Sequence, residues 1–151
     1  MQIFSTGGII TPNEDKTNIV LDFTVPKGTK KLTVHFSYSP KYLEDEETAA
    51  EIVTAGLKKY NVSVVNPSEF LPVANLVTLS FDENRQYRGA CHRQPNDQTI
   101  VIAETDSTPG IINGAIHSGI WDIVLNIHYA GCNIDYRIDV EGEAKYELSS
   151  L

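Results

Sequence analysis

The thirteen residues from Asp82 to Gln94 gather Asp82, Glu83, Arg85, Arg88, His92 and Arg93 into one short stretch between two β-like segments. Two or three cations converging there would hold a carboxylate or a phosphate through charge-assisted, bidentate hydrogen bonds. The same residue types also make a brace, in which Arg88 and His92 bond to backbone carbonyls and to the carboxylate of Asp82 or Glu83. Arg88, His92, Arg93 and Asp82 are therefore the candidate residues for binding a ligand or partner, with bracing as the competing reading.

No other constellation carries as much chemistry. The histidines are His35, His92, His117 and His128, and no two lie two residues apart. Their spacing does not support a metal site, and His35 and His128 fall on the polar faces of their segments. Ser118 and Cys91 sit near histidines, but the chain has no Gly-Xaa-Ser-Xaa-Gly elbow and no assignable base and orienting acid. No catalytic residue and no cofactor is assigned. Trp121, the sole tryptophan, could stack on a sugar ring, yet it opens an alternating apolar face and is expected in the core.

The elements that must position these residues are short and β-rich. Trp121, Ile123, Leu125, Ile127 and Tyr129 alternate with Asp122, Val124, Asn126 and His128, the period of two of a strand with one buried face. The same alternation marks Ile19 to Val25, ended by Pro26-Lys27-Gly28, and then Leu32 to Tyr38. Leu76 to Phe81 and Gln98 to Ala103 are short and rich in β-branched or aromatic residues, and Asn133 to Val140 alternates cleanly again. Only one stretch changes period. Ala49, Ile52, Val53, Gly56, Leu57 and Tyr60 recur at three-and-four spacing, with Glu44 to Glu47 in front and Lys58 and Lys59 behind, which predicts one helix over about 44–60 lying across a sheet or one end of it. Residues 1–17, with Gly7-Gly8 and Thr11-Pro12, read as an irregular lead-in, and residues 61–75 as a surface connection with an extended piece at Val62 to Val65. About seven strands without a βαβ rhythm predict a mainly β, antiparallel β-sandwich of jelly-roll or immunoglobulin-like type, with one inserted helix, as a single domain over 1–151.

Composition narrows the partners. Twenty Asp and Glu against twelve Lys and Arg leave a net charge of −8, which repels nucleic acid and anionic membrane surfaces. No apolar run approaches the roughly 20 residues of a membrane span, and the start lacks the pattern of a secretory signal, so the chain is expected to be cytoplasmic with Cys91 and Cys132 as free thiols.

Three segments together carry a family resemblance: Asn75-Leu76-Val77-Thr78-Leu79-Ser80, then Arg88-Gly89 with His92-Arg93, then Thr108-Pro109-Gly110 running through Gly114, Ile116, Gly119, Trp121 and His128. This set, with Val25-Pro26-Lys27-Gly28, Leu32 and Tyr38 before it, resembles the N-terminal β-sandwich domain that precedes the catalytic domain in CehA-like metallohydrolases of the PHP superfamily. The resemblance spans about residues 19–141. The His-Xaa-His pair that opens the metal cluster of PHP enzymes is absent, and no room exists for a barrel of ~200 residues or more. Ile111 stands where the family often has an aromatic residue. The resemblance thus implies a non-catalytic accessory module working with a catalytic hydrolase domain. The alternative is a small-ligand module in which Arg88, His92 and Arg93 hold an anionic or carbohydrate-like molecule. A stand-alone hydrolase is the weakest of the three readings.

Overall fold

The computed structural model describes residues 1–43, 46–59 and 73–145. Within them the chain forms eight strands: β1 (Gln2–Ile10), β2 (Asn18–Val25), β3 (Thr29–Ser39), β4 (Leu76–Glu83), β5 (Gln86–Cys91), β6 (Asp97–Ala103), β7 (Gly119–Tyr129) and β8 (Ile134–Ala144). A 3-10 turn spans Pro12–Glu14, and a single helix, α1, spans Glu46–Lys59. The strands make two antiparallel four-stranded sheets, in the orders β1-β8-β3-β6 and β2-β7-β4-β5. Consecutive β2 and β3 fall in different sheets, and the molecule is a mainly β sandwich, as the alternation predicts.

The inner faces fill one another. Leu32, Val34 and Phe36 of β3, Ile100 and Ile102 of β6, and Ile138 and Val140 of β8 are all buried. They face a second layer built from Val77, Leu79 and Phe81 of β4 and Trp121, Ile123 and Leu125 of β7, each at most 1% exposed. Burying one such side chain fully contributes about 1.5–3 kcal/mol, so these two walls supply most of the drive to fold.

Three expectations are corrected. The irregular lead-in is in fact a nine-residue strand, β1, paired along β8. Its Gly7-Gly8 looks like a breaker but answers a close contact. Gly8 lies opposite Tyr136, and a Cβ there would come within 3.0 Å of the phenol oxygen, while one at Gly7 would lie 2.9 Å from the Tyr136 carbonyl oxygen. Secondly, the stretch from Asp82 to Gln94 is no loop. Its greater part is the hairpin β4–β5, turned by Asn84 and Arg85 in left-handed backbone conformations (φ 48° and 70°). Thirdly, α1 carries Lys58 and Lys59 in its last turn as expected, but its Ile52, Val53 and Leu57 are only half-buried, and none of residues 50–59 joins the core. The two sheets already close on each other, leaving no inner face for the helix to cover. The expected Val62 to Val65 strand, the helix ends at Glu44 and Tyr60, and the Asn61 stop lie outside the described residues.

Candidate functional site

Arg88 owes its position to a β-bulge. Phe81 pairs with Gly89 and Asp82 with Tyr87, so Arg88 is the extra residue on β5 and its side chain turns inward. The residue is 4% exposed. Its Nε donates to the carbonyl of Ile112 (2.8 Å), Nη1 to Glu83 Oε1 (2.9 Å) and to the carbonyl of Ala115 (2.9 Å), and Nη2 to those of Gly114 (2.6 Å) and Ala103 (3.5 Å). A guanidinium has five N–H groups, and all five are engaged. Its carbon also lies 5.6 Å from the centre of the Trp121 ring. The second carboxylate oxygen of Glu83 accepts the His117 backbone N–H (2.8 Å), and the Trp121 indole donates to the His117 carbonyl (2.9 Å), which closes the network. Arg88 is therefore the brace of the 103–117 segment, with Glu83 as its carboxylate partner, and it has no donor left for a ligand.

The other predicted residues do not converge on it. His92 lies beyond the end of β5, where its Nδ1 sits 2.8 Å from Thr78 Oγ1, and His128 Nε2 sits 2.8 Å from the same oxygen. One hydroxyl has one proton and two lone pairs, so at most one ring accepts from Thr78 and at least one donates to it. The two rings meet edge to face with centroids 5.5 Å apart, and burial, followed by the charge of His92, pushes the His128 imidazole below its ordinary value. Arg93 is exposed; its carbonyl accepts from the Gln98 side chain (3.3 Å), which shapes the turn before β6. The expected cluster of Arg88, His92 and Arg93 around one anion is thus divided among three neighbourhoods, because alternation and the bulge send consecutive side chains to different faces.

Asp82 belongs to a feature that spacing alone could not reveal. On the outer face of the second sheet, Asp22 lies opposite Asp122 and Asp122 lies opposite Asp82, so three aspartates form one row across β2, β7 and β4. Arg85, at the hairpin tip, reaches back over them: its Nη1 is 3.1 Å from Asp122 Oδ2 and 4.0 Å from Asp22 Oδ1. Asp122 was expected to face water, yet it is only 3% exposed. Its carboxyl is pushed above the usual 3.8 by its hydrogen bond to Asp22, by burial and by the flanking aspartates, against the pull of Arg85. The row takes its neighbours from the same face: Tyr87 opposite Asp82, Ile120 two residues before Asp122 on β7 and Val20 two residues before Asp22 on β2. All three are exposed large hydrophobics (62%, 48% and 55%). Four residues along the strands from the aspartates, about 13 Å away, lies the His92–Thr78–His128 group.

The shift of Asp122 has a testable sign. The folded protein holds this proton more tightly than the unfolded chain, so the stabilisation is full below 3.8 and is lost as pH rises through the folded pKa. Asp122→Asn keeps the uncharged form at every pH. The variant should melt above the parent at pH 7, with the difference shrinking toward zero at about pH 3.5. The Arg85 contact it gives up belongs to a side chain that is 67% exposed, and such pairs contribute about 0–1 kcal/mol. A variant melting below the parent at pH 7 would show that the ion pair outweighs the repulsion.

Among the described residues no three His, Cys, Asp or Glu side chains are grouped so as to hold a metal ion. Cys91 is buried and Cys132 half-buried, both as free thiols. No described helix is long and apolar enough to cross a membrane. No family model matches the chain, and no curated protein matches it. Among solved structures, a protein from Sulfurospirillum deleyianum is similar over 91% of this chain and 98% of its own, at 7% identity and a TM-score of 0.34.

Proposed function

We propose that the chain is a non-catalytic interaction module that docks a protein partner on the outer face of β2, β7, β4 and β5. One observation carries the reading. Of the exposed large hydrophobics, Val20, Tyr87 and Ile120 surround a single charged cluster, Arg85 over Asp22, Asp122 and Asp82. Exposed aromatic and aliphatic side chains around an arginine have the composition of the centre of a protein interface. Arg85 is moreover held at φ 70°, a left-handed conformation that glycine fills at little cost and arginine does not. Retained strain of this kind is a feature of functional positions.

The strand orders 1-8-3-6 and 2-7-4-5 fit a jelly roll, in which alternate strands of two Greek keys build facing sheets. The segments around Thr78, Arg88 and Trp121 resemble the accessory sandwich of CehA-like PHP hydrolases, and in this reading the partner is a catalytic domain of that kind in the cytoplasm. The competing idea, an anion gripped by Arg88, lacks a free donor.

A photoreactive residue placed at Val20 tests the docking face in the source cells. It should give a discrete adduct with a hydrolase chain, and the adduct should vanish with Arg85→Glu. The same probe at Thr33, on the other sheet, should give none. Equal adducts from both positions, or metal-dependent turnover by the isolated chain, would sink the proposal.

A further inference from the structure

A second surface, on the opposite sheet, has a different chemistry. β8 runs between β1 and β3, and both neighbours lose register near its C-terminal end, three residues apart along β8. The pairing shifts between Gln2 and Phe4 on β1 and between Thr29 and Lys31 on β3. Each shift leaves one bulged residue, Ile3 and Lys30, on either side of Gly142. Beside these bulges lies an open groove of about 1040 Å³, bounded at one end by the β2–β3 turn, and the Ile3 and Thr29 side chains close over the bare Cα of Gly142. That turn is fixed: Thr29 Oγ1 donates to the Pro26 carbonyl (2.8 Å), and the Lys145 backbone N–H donates to the Gly28 carbonyl (2.6 Å).

The walls carry Lys27, Lys30, Lys31 and Lys145, four of the twelve cations in the chain, against two of its twenty carboxylates, Glu141 and Glu143. Lys30 pairs with Glu143 at 3.3 Å. Among the described residues Lys27, Lys31 and Lys145 have no ion-pair partner. Lys31 is half-buried, and it shares the outward face of β3 with Thr33, so its ammonium and the threonine hydroxyl both serve the groove. A local positive site on a chain of net charge −8 favours one kind of occupant. Charges further than about 8 Å are screened at physiological salt, so a compact anion experiences the groove's own lysines and two glutamates and little of the negative charge beyond them. A long polyanion would extend into the negative field beyond them. The apolar contribution is Ile3 and Pro26, with no aromatic ring on which a sugar would stack.

We infer that this groove binds a compact multivalent anion, a di- or tricarboxylate or a phosphate ester, through Lys27, Lys31 and Lys145. The site is independent of the docking face, which lies on the other sheet.

Calorimetric titration of the full chain with pyrophosphate and with citrate, at ionic strength matched by sodium chloride, tests it. At least one should bind saturably, and the better of the two identifies phosphate or carboxylate as the class. The Lys27→Gln/Lys31→Gln/Lys145→Gln variant should bind about tenfold or more weakly while melting like the parent without ligand, because Lys27 and Lys145 are exposed and Gln keeps most of the half-buried stem of Lys31. Glu141→Gln removes a groove carboxylate without touching a lysine, and it should tighten binding. Affinity unchanged in the triple variant, weaker binding by Glu141→Gln, absence of saturation with both anions, or tighter binding of polyglutamate than of citrate would each overturn the inference.

Discussion

Replacing Arg88 by Gln should lower stability by about 3–5 kcal/mol, the cost of breaking a buried ion pair by removing one partner. The size follows from what is stranded. Glu83 loses its charged partner, and the carbonyls of Ile112, Gly114 and Ala115 lose the donors that tie their segment to the sandwich, whereas that of Ala103 keeps the Gly114 N–H and the Ser107 hydroxyl. A buried acceptor without a donor costs about 1–3 kcal/mol on its own, so only solvent entry or collapse of the segment keeps the sum from exceeding the range. Urea titration should show the midpoint falling with little change in slope. Two controls separate a brace from a general effect of losing a cation: Arg93→Gln and Arg85→Gln, both exposed, should each stay within about 1 kcal/mol of the parent. Arg88→Gln melting with those two would mean that the guanidinium network contributes nothing, and that the 103–117 segment is held by its backbone alone.

Why the fold was legible and this residue was not comes down to the range of the signals. Alternation is local, and the inward faces of β2, β3, β7 and β8 follow from it: Phe23, Phe36, Trp121 and Ile138 are buried where the period of two places them. Where a long-range contact overrides the local rule, the local rule fails. Gly7-Gly8 resembles a breaker because nothing nearby shows that Tyr136 will lie across it. The β4–β5 turn was hidden by Arg85, since a two-residue turn with both residues left-handed usually announces itself as Asn-Gly. The helix was visible from its own period, but its destination was not, because a stripe of Ile52, Val53 and Leu57 does not reveal whether a sheet face remains for it.

The site follows the same division. Residue types marked Asp82, Arg88 and His92 as chemically capable, and each does hold a specific place. Their grouping, however, depended on a one-residue bulge that reverses the direction of Arg88, and no composition rule predicts a bulge. Alternation places Asp22 and Asp122 on outward faces, but their meeting depends on the register of strands far apart in the chain. Thr78 and His128 required the register between β4 and β7, which slips at Leu76 and leaves His128 bulged. The lysine groove needed two bulges, on β1 and β3, set against a strand from the other end of the chain.

Trp121→Ala should cost about 3–5 kcal/mol, in the range for emptying a large buried aromatic site. The indole is fully buried, it meets Phe23 at 6.5 Å, and Phe23 stacks in turn on Phe4 at 5.2 Å, so the cavity opens in the middle of an aromatic row that spans both sheets. For a domain of this size each kcal/mol corresponds to roughly 2–4 °C, which places the variant roughly 6–20 °C below the parent by calorimetry. Trp121→Phe should recover part of the loss, since it keeps a ring beside Phe23 but gives up the indole hydrogen bond to the His117 carbonyl. The informative measurement is the double variant. Trp121 and Arg88 touch each other and both organise the segment ending at His117, so combining Trp121→Ala with Arg88→Gln should cost less than the sum of the two. A sum that is strictly additive would mean that the ring and the guanidinium act independently. In that event the closed network through Glu83 and His117 is a set of separate contacts, and the rigidity ascribed to this end of the sandwich has to come from the β4–β7 ladder.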